Sequence, residues 1–174
     1  MTIRERSRHD GPIVFVDYDD AWPALFEGEA QRIRAALGAR VLVLEHAGST
    51  SVPGLAAKPV IDIVLAVPDS SNEDEYVPAL EAKGYELRIR EPDWYEHRCL
   101  MKNEPNVNLH VFSAGCIEID RMLAFRDHLR TNEADRGLYE RTKRELGARQ
   151  WAYVQDYADA KSEVVEAIIA RALA

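Results

Sequence analysis

Apolar and polar positions change period several times along this chain, and each change marks an element. Residues 1–12 are polar and charged and close on Gly11-Pro12, which predicts a flexible N-terminal arm. Residues 13–18 then alternate as a first short strand. Asp19 and Asp20 offer caps for a helix to about Leu37, with Pro23 tolerated in its first turn. Its stripe Trp22, Phe26, Ile33 and Leu37 follows helical spacing, and Gly38 supplies the stop. Two β-branched runs, 41–46 and 60–67, predict strands. Ser70 with Glu73 spells a capping box for a helix ending before Gly84.

Further strands are predicted at 85–90, 94–102 and 107–112, the last two forming a hairpin through Asn103-Glu104-Pro105-Asn106. Pairing Lys102 with Val107 across that turn puts Cys99 and His110 on one side of the sheet; a one-residue slip turns Cys99 away. The last third is helical, at about 117–131, 135–148 and 155–173. Met122, Phe125 and Leu129 form one buried stripe, and Val164, Val165, Ile168, Ile169 and Leu173 another. Repeats and linkers are absent. The pattern is one α+β domain over 13–174, a mixed sheet covered by helices with a helical C-terminal third.

Candidate chemistry concentrates in residues 41–67. Asp62 lies inside a strand run, where an ionised carboxylate without a partner is costly. Its partner is either a cation bound from outside or a neighbouring side chain such as Lys58, in a structural ion pair. Upstream, Gly48, Ser49, Thr50 and Ser51 offer close backbone approach, hydroxyls and free N–H groups, all suited to a phosphate. The same residues also make an ordinary hydroxyl-rich turn. Twelve residues lie between Ser49 and Asp62, enough for a turn, a short helical piece and the return strand. A phosphate cradle beside a metal carboxylate points to nucleotide chemistry.

A Gly-Ser followed at this distance by Asp-hydrophobic in a strand resembles the signature of the nucleotidyltransferase superfamily. The longer string EHAGSTSVPGLAAKPVIDI resembles the GrpB family, a bacterial group placed in that superfamily. VDYDDAWPALFEGEAQRIRAAL, NLHVFSAG, LAFRDHLR and YADAKSEVV agree in order, so the resemblance spans about 13–170. It implies a sheet of the nucleotidyltransferase type, a phosphate chain held at Gly48 and Ser49, and a divalent cation, Mg²⁺ or Mn²⁺, at Asp62. One departure matters. The superfamily places two carboxylates as Asp-x-Asp or Asp-x-Glu to hold two metals, and Val64 stands at the second position here. The neighbouring strand that usually adds a third carboxylate offers His110 instead, so the implied metal ligands are Asp62 and His110.

Other residues divide between functional and structural roles. Lys58 can meet a triphosphate as a point charge. Arg126 and Arg130, spaced i, i+4, make either a phosphate clamp or a solvated basic face. Lys143 and Lys161 fall in pieces that resemble the family. His46 reads as a satisfied polar side chain. A zinc site from His97, Cys99, His110 and Cys116 lacks tight ligand spacing, and a Ser49–His46–Asp62 triad lacks a nucleophile elbow. Neither G-x-x-x-x-G-K-[ST] nor G-x-G-x-x-G occurs.

A net charge of −8 argues against bulk nucleic-acid or membrane binding. No apolar run reaches the roughly 20 residues of a membrane span, the first residues carry no signal-peptide core, and two cysteines make no disulfide scaffold. A reduced, cytoplasmic setting follows. Two functions fit: a metal-dependent nucleotidyltransferase moving a nucleoside monophosphate from an NTP to an acceptor, with Asp62, His110 and Lys58 as catalytic groups, or a non-catalytic module that binds a nucleotide or phosphorylated metabolite.

Overall fold

The computed structural model describes residues 13–149 and 154–174; the predicted arm, 1–12, lies outside them. Five strands form one sheet: β1 (Val43–Ala47), β2 (Ile61–Val67), β3 (Glu86–Glu91), β4 (His97–Lys102) and β5 (Val107–Ser113). Their order is β1-β2-β5-β4-β3, with β2 and β5 parallel and the other pairs antiparallel. The helices are α1 (Trp22–Leu37), a five-residue α2 (Val77–Glu81), α3 (Ile117–Thr131), α4 (Glu133–Gly147) and α5 (Val154–Ala172). The fold is α+β, with a mixed sheet and a helical C-terminal region.

Alternation along β2 separates the two faces of the sheet. Ile61, Ile63, Leu65 and Val67 join Leu109 and Val111 of β5 in a core closed by Trp22, Ile33 and Leu37 of α1 and Leu80 of α2. On the opposite face Val64, Ala66 and Phe112 pack under Ile119 of α3. A third cluster joins Val52 and Leu55, beyond the Gly-Ser turn, to Leu129, Tyr139 and Ile168 of the three C-terminal helices. That cluster seats the β1–β2 connection against the helical third and leaves a cavity between them.

The hairpin register is as the turn predicts, with Lys102 opposite Val107 and Cys99 opposite His110. Several local expectations give way to tertiary contacts. Residues 13–18 form no strand; a single bridge joins Val16 to Ala57. The segment is held from two sides instead, since Ile13 N–H donates to Gly147 O and Phe15 rests on Gly147. The Ser70–Glu73 capping box does not form. Ser70 is fully buried and donates its hydroxyl to Glu96 O, and Glu73 receives Arg90 and Arg98. With both side chains spent elsewhere, the helix shrinks to α2 behind a 3₁₀ turn at Glu73–Glu75.

Strand β4 begins at His97 rather than 94, because Tyr95 and Glu96 turn the chain with φ of 55° and 50°. Helix α4 starts earlier than 135, capped by the Asn132 side chain, which accepts from Asp135 N at 2.9 Å. Leu173 is exposed, one residue past the end of α5.

Candidate functional site

Asp62 opens β2 on the α3 side of the sheet, opposite Ala47 of β1 and Asn108 of β5. The chain reaches it through Gly48, whose φ of 68° is left-handed. A Cβ there would lie 2.9 Å from Asp62 Cβ and would strike its Oδ2. Only glycine lets the turn close over the carboxylate.

In the following 3₁₀ turn, Ser49–Ser51, two of the three hydroxyls are spent internally. Ser51 donates to Gly48 O, and Thr50 donates to Val60 O at 3.0 Å. Because the Thr50 hydroxyl is already donating, it accepts from His46 Nε2–H at 2.9 Å. His46 also stacks on Phe26, and burial holds its imidazole down at about 4. It is a structural histidine.

Ser49 differs, because its hydroxyl meets a lysine. Lys143 Nζ, carried by α4, donates to Ser49 Oγ at 2.8 Å and to Ala56 O at 3.2 Å. Its side chain is buried, with the ammonium 4.7 Å from the centre of the Tyr139 ring. Burial first, and then the nearby positive charge of Lys161, lowers its pKa to about 7. Lys58 is lowered by the same two causes. Lys58 and Lys161 both approach the Tyr157 ring, at 5.4 and 5.1 Å. Tyr157 is itself buried, and its hydroxyl has no hydrogen-bond partner among the described residues.

These groups surround one cavity of about 330 Å³, lined by Ser49, Lys58, Asp62, Asn108, His110, Lys143, Tyr157 and Lys161, with Phe15, Ile89, Cys99 and Met101 as apolar wall. Three lysines and one serine hydroxyl therefore share a space with one carboxylate. Cys99 is buried in the wall, and burial pushes its thiol up, so it is an inert wall residue.

Asp62 and His110 come together as the resemblance implies, with Nε2 and Oδ1 3.2 Å apart. Behind His110 lies a chain of side chains: its Nδ1 is 3.1 Å from His97 Nε2, and His97 Nδ1 is 2.9 Å from Glu91 Oε1. The two imidazoles stack, and His97 rests on Phe112 and Trp94. Burial, followed by His110 and Arg98, lowers the His97 pKa to about 3.

Adjacent ligands on one octahedral ion stand about 3 Å apart, so the Asp62–His110 pair has the spacing of two ligands. No group of three or more His, Cys, Asp or Glu side chains suited to a metal occurs among the described residues. The zinc constellation is not assembled, and Cys116 lies apart, packed under α3. Val64 is sealed in the α3 core and brings no oxygen. Asp62 and His110 are the two side chains of the cavity that could hold an ion, and any further ligands would have to come from outside the protein.

Residues 12–171 match the profile of the GrpB protein family. The chain belongs to the GrpB family. A UPF0157 protein of Halalkalibacterium halodurans is 56% identical over 172 residues, covering 99% of this chain and 88% of the relative. The crystal structure of conserved protein GrpB from Enterococcus faecalis superposes with a TM-score of 0.81 at 33% identity, over 92% of this chain and 97% of that one. A dephospho-CoA kinase of Mycolicibacterium paratuberculosis contains a similar segment, 42% identical over 88 residues, which is 49% of this chain and 21% of that kinase.

Within this GrpB fold the two arginines behave unlike the lysines. Arg126 binds Glu45 and His46 O, and Arg130 donates to Ser51 O at 2.9 Å. Neither lines the cavity; Arg126 ties α3 to the end of β1, and Arg130 braces the 48–51 turn through Ser51 O. Lys143 is the converse case, since a lysine that lines the cavity looks unremarkable in the string YERTKREL. Its helical period was the available signal, because Tyr139, Lys143 and Leu146 fall on one face, and all three are buried.

Proposed function

We propose that this GrpB protein binds the phosphate chain of a nucleotide or phosphorylated metabolite in the 330 Å³ cavity. The observation that carries the reading is the convergence of Lys58, Lys143 and Lys161 with the Ser49 hydroxyl on that one space. Buried ammonium groups repel one another and lose hydration, as the lowered pKa values of Lys143 and Lys58 reflect. An anion relieves both costs. Lys143 and Ser49 form the floor, Lys58 and Lys161 flank Tyr157, and the Gly48 turn keeps the backbone close. The partial sequence similarity to a protein named dephospho-CoA kinase supports the reading, since that name is one of phosphoryl chemistry.

A second reading, nucleotidyl transfer, is favoured by Asp62 and His110 facing the same cavity. A divalent ion held by the pair would neutralise phosphate oxygens during displacement. Lys58 and Lys143 would offset charge on the remaining oxygens, while Asp62 and His110 orient the phosphate toward its acceptor. Val64 restricts this chemistry to a single ion.

A thermal-shift series with pyrophosphate and NTPs, each with and without Mg²⁺ or Mn²⁺, tests both readings. Saturation at about 100 times the dissociation constant adds roughly 2.7 kcal/mol of stability. Stabilisation by pyrophosphate that is lost in Lys143→Met supports binding. Failure of every phosphate ligand to stabilise the protein overturns it. Stabilisation by NTP only when metal is present supports transfer over simple binding.

A further inference from the structure

Glu91, His97, His110 and Asp62 form a chain with three links, at 2.9, 3.1 and 3.2 Å in that order. Each link needs one proton to be a hydrogen bond, and when both imidazoles are in their neutral form they bring only two. One link is therefore a proton short, and the structure indicates which. The Glu91 link is the shortest, and its imidazole is buried. The Asp62 link is the longest, and both its residues line the cavity. With Nδ1–H of His97 committed to Glu91, His97 Nε2 can only accept, so His110 must donate from Nδ1. In that arrangement His110 Nε2 carries no proton, and the 3.2 Å contact that the other tautomer would make a hydrogen bond to Asp62 becomes two acceptors open to a cation.

We propose that Glu91 and His97 are positioning residues that hold His110 in its Nδ1–H tautomer, so that Nε2 and Asp62 Oδ1 together receive a divalent cation from the cavity. The inference rests on the single-ion site proposed above and adds what makes His110 a ligand. Free imidazole prefers the Nε2–H tautomer, which would aim a proton at the ion's position. The relay reverses that preference. Groups behind a metal-binding histidine fix its tautomer and ring orientation in this way, and losing them costs about 10–100-fold in metal affinity. The aromatic stack of His97 on Phe112 and Trp94 holds the relay in register without adding a competing hydrogen bond. An imidazole ligand also tilts the site toward Mn²⁺ over Mg²⁺.

Long-range proton–nitrogen NMR on the metal-free, full-length protein at about pH 8, where an unperturbed imidazole is neutral, reads the tautomer directly. Calorimetric titration with MnCl₂ reads the site. The expected wild-type result is a protonated Nδ1 and a bare Nε2 on His110. His97→Phe keeps the ring stack but cannot accept from His110, so His110 should revert to Nε2–H and Mn²⁺ affinity should fall about 10–100-fold. His97→Gln, whose amide oxygen can accept from Nδ1–H, should restore the tautomer and most of the affinity. Glu91→Leu, at the sheet edge, provides an independent break in the relay and should act like His97→Phe. A wild-type His110 found as Nε2–H, or Mn²⁺ affinity unchanged in both His97→Phe and Glu91→Leu, overturns the proposal. The expected tautomer with no Mn²⁺ binding overturns the cation site and, with it, the purpose assigned to the relay. Phosphate binding at the lysines would stand in that case, because pyrophosphate stabilisation reports it separately.

Discussion

Gly48 and Asp62 touch across the β1–β2 connection, so closely that any side chain at 48 would overlap the Asp62 carboxylate. Gly48→Ala therefore meets two penalties, a left-handed φ of 68° and a collision. The backbone strain alone costs about 1–3 kcal/mol. Urea denaturation should show at least that loss. Asp62→Ala should recover part of it, with a coupling of about 0.5–3 kcal/mol in the double-mutant cycle. Strict additivity of the two substitutions would show that the turn avoids Asp62 by shifting.

Lys143 makes stability depend on pH with a definite sign. Its folded pKa is about 7 against an ordinary 10.5, so the unfolded chain binds more protons between those limits. The penalty is full below about 7 and fades as pH rises. Lys143→Met should be more stable than wild type near neutrality, and its advantage should shrink by up to about 1.4 kcal/mol per pH unit toward pH 9. Urea midpoints of both proteins at about pH 7 and pH 9 check this, and a constant difference would place the ammonium in solvent.

His46 acts in the acid range. Its imidazole sits at about 4 in the fold against 6.5, so stability present above 6.5 is lost as pH falls toward 4. His46→Phe keeps an aromatic ring over Phe26 and removes the titration. The stability of wild type relative to this variant should decline by up to about 1.4 kcal/mol per pH unit between 6.5 and 4. Parallel urea curves across that range would contradict the buried, neutral assignment.

The arginines and the lysines should separate by phenotype. Arg130→Gln removes a brace on Ser51 O, which lies outside the cavity. It should lower the melting temperature by an amount equivalent to about 1–2 kcal/mol, while pyrophosphate affinity changes less than about twofold. Lys143→Met should lose at least about tenfold in affinity, equivalent to 1.4 kcal/mol. Thermal shift and calorimetry on the two variants decide it, and a tenfold loss in Arg130→Gln would return that arginine to the ligand.

Sequence alone determined what depends on neighbours in the chain. The stripe of α1, the two β-branched runs, the 103–106 turn and hence the Cys99–His110 register all follow from period and turn chemistry. Tertiary structure decided which side chains those elements spend and on what. Ser70 and Glu73 spell a helix cap, yet they bind Glu96 O and the arginines of β3 and β4. Arg126 and Arg130 read as either a phosphate clamp or a solvated basic face, but the docking of α3 sets Arg126 on the end of β1 and Arg130 on Ser51 O. Lys143 meets Ser49 across 94 positions, and Glu91 reaches Asp62 only through two imidazoles on different strands. Periodicity reports whether a position is buried. Which charge faces a cavity depends on how packed helices are rotated against the sheet, and that rotation comes from the whole core.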